Sequence, residues 1–260
     1  MSSSISPVLV LVPGAFGTPS GFDPLLPLLE RAGIGTHPGP YPSCDPVDPA
    51  AASCTRDIAS LRNDVLLPLL DEQQRDVVLL AHSYGGVVGG AAAKDLDPIT
   101  RRVQGKNTAV VGLIYVAGNI TLDGESLLEA VGGAYPPFIK TAKPSKGLAL
   151  IEPAMEVLYN DCDDARAPEL SRAVRPHALR AFETAPTAPA WADGGFDGRR
   201  AYVRTLDDRC NPPSLQQAWL DKSAVEWDVV ELEAGHMPFV SQPEALAVHI
   251  IRFIDRIAEL

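Results

Sequence analysis

Runs of continuously apolar, β-branched residues alternate along this chain with stretches whose apolar positions recur at helical spacing. The clearest run is 77–81, "VVLLA", which is apolar throughout rather than alternating and so predicts a strand buried on both faces. Four further segments match it: "PVLVLV" near the start, "VVGLIYVAG" at 110–118, "AYVRTL" at 201–206 and "WDVVELEA" at 227–234. Between the first two runs, 22–32 and 55–70 carry apolar residues at helical spacing, the second with Ile58, Leu61, Val65 and Leu69 on one side. The final stretch, "QPEALAVHIIRFIDRIAEL", predicts another amphipathic helix with Ile250, Phe253, Ile254 and Ile257 as its buried stripe. Alternating strands and helices imply one α/β domain over 1–260, a mostly parallel central sheet with helices on both faces.

One interval breaks the alternation. No strand pattern stands out between Gly118 and Ala201, far more than the roughly two to six residues that connect elements in α/β units. This predicts an inserted helical cap over 119–200, with helices near 125–131, 153–159 and 170–181. Ligands in open α/β sheets bind beyond the carboxyl ends of strands, so an insertion following a strand is placed to cover such a site.

The segment after the 77–81 strand is rich in glycine, which weakens a helix by up to about 1 kcal/mol per residue relative to alanine. Gly85, Gly86, Gly89 and Gly90 therefore need a reason beyond propensity. The pattern Ala81-His82-Ser83-Tyr84-Gly85 is a near match to G-x-S-x-G, a sharp strand-to-helix turn that exposes a serine hydroxyl and demands small neighbours. A serine is a poor nucleophile unaided, so it needs a base and a group that orients the base. Asp207 and Asp208 follow the strand at 201–206, and His236 follows the last strand, giving the order Ser, Asp, His. Spacing alone does not separate these neighbours; Asp208 is the choice for the acid, with Asp207 as the fallback. Of the other histidines, His82 should turn into the packing behind the serine, His37 and His249 lie in a loop and a helix, and His177 in the cap could touch substrate. Two backbone N–H groups would receive a developing oxyanion: Tyr84, next to the serine, and Ala15, in the Gly-rich loop after the first strand.

Composition narrows the partners. The chain has 22 Lys and Arg against 33 Asp and Glu, a net charge of -11, which argues against a nucleic-acid partner. The start carries no basic segment and no apolar run approaches the roughly 20 residues of a membrane span, so a frayed terminus and a cytoplasmic protein without membrane contact are expected. The four cysteines, 44, 54, 162 and 210, form no CxxC pair. No metal or other cofactor is expected; Cys44 and Cys54 could bridge a loop, with free thiols the expectation in a reducing compartment. Phe16, Tyr135, Phe138, Tyr159, Phe182, Trp191 and Met237 are the candidate walls of a substrate pocket. They suit a neutral, rather hydrophobic small molecule, bound by a monomer or a homodimer.

With "VLVPGAF", "VVLLAHSYGG", "YVRTLDDRCNPPSLQQ" and "GHMPFVSQP", and with "LYND" and "RPHALRAF" in the cap, the chain resembles the α/β-hydrolase superfamily over nearly its whole length. It is most similar to the short branch of plant-type methyl esterases, hydroxynitrile lyases and small microbial serine esterases. The resemblance implies the α/β-hydrolase fold, and its acid pattern T-x-x-D-x-x-x-P falls on Thr205 and Asp208. The lyases carry threonine where this chain has Gly14, and lysine where it has Met237, so cyanohydrin cleavage is disfavoured. The expectation is a carboxylesterase or lactonase acting through an acyl-enzyme on Ser83. Lyase or cyclisation chemistry with the same residues, or a slow-turnover small-molecule receptor, are the alternatives.

Overall fold

In a computed structural model that describes residues 6–260, six parallel strands form the central sheet. The N-terminal stretch expected to fray falls mainly outside the described residues. In chain order the strands are β1 (Val8–Val12), β2 (Thr36–Pro38), β3 (Val77–His82), β4 (Val110–Val116), β8 (Arg200–Thr205) and β9 (Asp228–Leu232). Their spatial order is β2-β1-β3-β4-β8-β9. The direction of progress across the sheet reverses between β1 and β3, so a crevice opens at their carboxyl ends. Both loops expected to hold an oxyanion leave the sheet there.

The burial of the strands follows their composition. All residues of β1 and β3 are buried, as expected for strands covered on both faces, while the edge strand β9 alternates. The helix Pro243–Ala258 buries Ile250, Phe253, Ile254 and Ile257, the stripe read from its spacing. The helix Gly85–Ala92 is buried along its entire length. Gly85 and Gly86 are dictated by close approach: a Cβ on Gly85 would lie 2.6 Å from the carbonyl oxygens of Val12 and Pro13, and one on Gly86 2.7 Å from that of Asn119.

Several elements differ from the sequence reading, mostly where proline intervenes. The 22–32 segment is a turn of 3₁₀-helix at Pro19–Phe22 and a short helix at Leu26–Arg31, because Pro24 and Pro27 favour helix starts over interiors. The 55–70 segment begins as the α-helix Cys54–Ser60 and widens into π-helical turns over Leu61–Leu66 and Pro68–Glu72. Pro68 lacks the N–H that a regular helix would use there. Ile58, Leu61, Val65 and Leu69 are nonetheless buried.

Between β4 and β8 the chain is not wholly helical. Short helices at Leu127–Ala130, Ala154–Val157, Ala167–Ala173 and Leu179–Glu183 accompany a second, antiparallel sheet of β5 (Ile139–Thr141), β6 (Leu148–Ile151) and β7 (His177–Ala178). The expected single helix at 170–181 is split at Pro176, which disfavours helical backbone at Arg175 and admits the two residues of β7. These strands have two to four residues, too few to show a period. Among the described residues no helix is long and apolar enough to cross a membrane.

Candidate active site

Ser83 follows β3 directly and has φ +49, in the left-handed region that a non-glycine residue adopts only when its surroundings enforce it. The enforcing contacts are visible: Ser83 N–H donates to the Val116 carbonyl at 3.2 Å, and the Ser83 carbonyl accepts from Asn119 N–H at 2.9 Å and Gly86 N–H at 2.8 Å. The turn is thereby tied to the end of β4 on one side and to the following helix on the other. Among the described residues the Ser83 hydroxyl has no hydrogen-bond partner.

His236 lies on the loop after β9 and shares with Ser83 the wall of one cavity of about 250 Å³. Its Nδ1 is 2.8 Å from Asp208 Oδ2. Asp208, whose side chain is fully buried, also accepts from Thr205 Oγ1 and from the backbone N–H groups of Cys210 and Asn211, each at 2.8 Å. Three donors besides the imidazole fix the orientation of that carboxylate. Asp207, by contrast, is exposed, and its backbone rather than its side chain joins the surrounding network.

Burial opposes the charged form of His236, but the adjoining Asp208 carboxylate, the neighbouring Cys210 side chain and the hydrogen bond to Asp208 outweigh it and hold the imidazole well above the ordinary 6.5. His82 turns away from the cavity, as its place before the serine suggested. Its Nε2 donates to the His236 carbonyl at 2.8 Å, its ring lies 4.6 Å from that of His236, and burial pushes its pKa well down. His82 therefore supports the His236 loop as a neutral donor.

The loop Gly14–Gly17 turns beside Ser83, with Gly17 N–H donating to the Gly14 carbonyl at 3.3 Å and Phe16 at φ +63. Ala15 and Tyr84 both line the cavity, and neither backbone N–H has a partner among the described residues. These are the two groups expected to receive an oxyanion.

Of the expected pocket residues, Phe16, Tyr135, Phe138 and Phe182 line the cavity. Tyr159 and Met237 line a neighbouring cavity on the far side of the Gly14 loop. Trp191 is buried away from both, with its ring 6.5 Å from that of Trp227. Leu127, Leu128 and Val131, on one side of a short helix, complete much of the apolar wall, and Asn119, Asn211 and an exposed Arg209 supply its polar groups. The one-sided spacing of the three aliphatic residues was a usable signal that sequence reading passed over. His177, the cap histidine that could have touched substrate, is fully buried behind the cavity wall and stacks on Phe182 at 4.8 Å.

Three supporting residues also escaped the sequence reading. Gln216 donates to the Thr205 and Asn211 carbonyls and accepts from Thr205 N–H, clamping the loop that carries Asp208. Asp161 accepts from Gly235 N–H at 2.7 Å, and Asn160 donates to the Asp207 carbonyl at 3.0 Å. The "LYND" segment thus holds the His236 and Asp208 loops together. All four cysteines are free thiols.

Comparison with known proteins places this geometry in company. The model of a family described as "Alpha/beta hydrolase family" matches residues 9–249. A pyrethroid hydrolase of Sphingobium wenxiniae is 27% identical over 274 aligned positions, covering 96% of this chain and 89% of that one. A carbendazim hydrolyzing esterase of a Nocardioides species is 29% identical over 193 positions, 71% of this chain and 74% of that one. The crystal structure of a pyrethroid hydrolase from Sphingobium faniae superposes with a TM-score of 0.73 at 23% identity, covering 98% of this chain and 99% of that one. At that identity the superposition speaks for the fold alone.

Proposed function

The chain belongs to the alpha/beta hydrolase family, and from that premise we propose that it is a serine hydrolase cleaving carboxylic esters or lactones of small, neutral, rather hydrophobic molecules. The observation that carries the reading is a strained Ser83 sharing an apolar cavity with His236, whose other face is bonded to a buried Asp208. The hydrolase and esterase activities named for its relatives support it.

In this reading substrate enters the cavity with its carbonyl over Ser83. His236 Nε2 accepts the hydroxyl proton as Oγ bonds to the carbonyl carbon, and Asp208 stabilises the resulting imidazolium. The N–H groups of Ala15 and Tyr84 receive the anionic oxygen. His236 then returns the proton to the departing alcohol, leaving an acyl-enzyme. Water attacks it with His236 again as base, releasing the acid and restoring Ser83. Residues 119–200 act as the cap that sets substrate choice, because most of the cavity's apolar wall comes from them.

Two expectations follow. Catalysis needs neutral His236, and Asp208 favours the protonated form, so kcat/KM for a neutral ester should rise with pH through a midpoint above 6.5. A pH–rate profile flat from pH 6 to 9 would contradict this assignment. Substrate choice is tested with a panel of aryl esters, methyl esters and lactones whose acyl groups are either apolar or carry a free carboxylate. Apolar members should be favoured in kcat/KM by about tenfold or more, since most of the wall is apolar and Arg209, a cation on it, is exposed and screened by solvent. Equal turnover of the charged members, or no turnover of any member, would count against the reading.

A further inference from the structure

Behind the loops that carry Ala15 and Tyr84 runs a chain of buried polar groups that the mechanism above does not use. Asp57, on the helix Cys54–Ser60, is wholly buried. Its Oδ1 accepts from Ser43 N–H at 2.9 Å, and its Oδ2 accepts from Ser43 Oγ at 2.5 Å and from the Tyr84 hydroxyl at 2.7 Å. Ser43 Oγ in turn lies 2.9 Å from His177 Nε2, and His177 Nδ1 receives the Phe16 N–H at 3.4 Å. Tyr41 completes the surround, its single O–H shared between the Pro13 and Gly14 carbonyls at 2.9 and 2.8 Å.

The direction of the bonds from Phe16 to Ser43 is fixed. The Phe16 backbone can only donate, so His177 Nδ1 is the acceptor and its proton sits on Nε2. Nε2–H then donates to Ser43 Oγ, which passes its own hydrogen to Asp57. Burial keeps His177 neutral, with a pKa pushed down to about 3. The Ser43 and Tyr84 hydroxyls and the Ser43 N–H are all received by Asp57 in its carboxylate form.

That carboxylate works against the fold. Burial raises its pKa from 3.8 to about 6, so the folded state binds more protons than the unfolded one, and stability falls as pH rises through that interval. A buried ionic group of this kind is commonly no more stabilising than apolar residues of similar volume. What it does instead is join two segments. One arm ends on Tyr84, which lines the cavity; the other ends on Phe16, adjacent to Ala15 and held at φ +63. We propose that Asp57 is a positioning residue that sets the spacing of the Ala15 and Tyr84 N–H groups, through Tyr84 on one side and Ser43 and His177 on the other.

This inference rests on the serine-hydrolase reading, and its test separates the two. In Asp57→Asn an amide NH₂ takes the place of Oδ2 and faces two hydroxyl donors, so the bond directions must reverse. Tyr84→Phe removes one hydroxyl while keeping the ring and the backbone N–H. Each variant is assayed on the best ester of the panel and titrated with an alkylboronic acid, whose adduct with Ser83 carries a negative tetrahedral boron and an oxygen in the oxyanion position. We expect kcat to fall by about 10- to 100-fold with KM changed less than about threefold, and boronate affinity to fall in parallel with kcat. Affinity for the product acid, which makes no tetrahedral anion, should stay within about threefold. Unchanged kcat in the folded variants, or a loss shared equally by KM and product affinity, would overturn the inference. Should Asp57→Asn fail to fold, Tyr84→Phe alone decides. If instead wild type binds no boronate, or Ser83→Ala still turns over ester, the underlying reading falls rather than this one.

Discussion

Ser83→Ala should lower kcat for an activated aryl ester by on the order of a millionfold while leaving KM and thermal stability close to wild type. The size follows from the absence of a substitute: once Oγ is gone, His236 has no proton to take and no acyl-enzyme can form. The small effect on the fold follows from how the turn is held. Its contacts to Val116, Asn119 and Gly86 are all made by the Ser83 backbone, which alanine keeps. The residual rate should come from the Ala15 and Tyr84 N–H groups and from binding, and from neither proton transfer nor covalent chemistry. Steady-state kinetics on purified variant checked by calorimetry provide the measurement.

The second large effect is expected from Asp208→Asn, which should cost kcat about ten-thousandfold. Oδ1 accepts two backbone N–H groups, so the amide oxygen would stay there and the NH₂ would take the place of Oδ2, facing His236 Nδ1. That NH₂ can only donate. Nδ1 would become an acceptor, the imidazole proton would move to Nε2, and the nitrogen toward the cavity would lose its capacity as a base. The acidic limb set by the carboxylate should shift downward in pH at the same time. A comparable loss for Asp207→Asn would contradict the assignment, because that exposed side chain has no contact with the imidazole.

How much of this was legible in the sequence depended on whether a feature repeats locally. β1, β3 and β4 are buried on both faces and so announce themselves as apolar runs, whereas Thr36–Pro38 pairs with β1 through only three residues and ends in proline. Ser83 could be read because the close approach of Gly85 and Gly86 to neighbouring backbone leaves a glycine signature. Asp208 was separable from Asp207 only through the family resemblance, since adjacent residues share every other sequence property. The chain from Asp57 through Ser43 to His177 had no such signature: its members are brought together across as many as 134 positions by the fold itself. His177 illustrates the point, since its position within the insertion suggested substrate and its burial assigns it to the support of Phe16. Prolines at 24, 27, 68 and 176 were visible throughout, and weighing them more heavily would have shortened or split the helices they interrupt.

The central claim is a covalent one, and mass spectrometry of the trapped enzyme tests it most directly. Wild-type protein quenched with acid during turnover of a slowly deacylating ester, then digested, should show the peptide containing Ser83 heavier by the mass of the acyl group less one hydrogen, with fragmentation placing the addition on Ser83 and the adduct absent from Ser83→Ala. Turnover with no adduct at any time point, or an acyl group carried instead by Cys210 on the same cavity wall, would contradict the account.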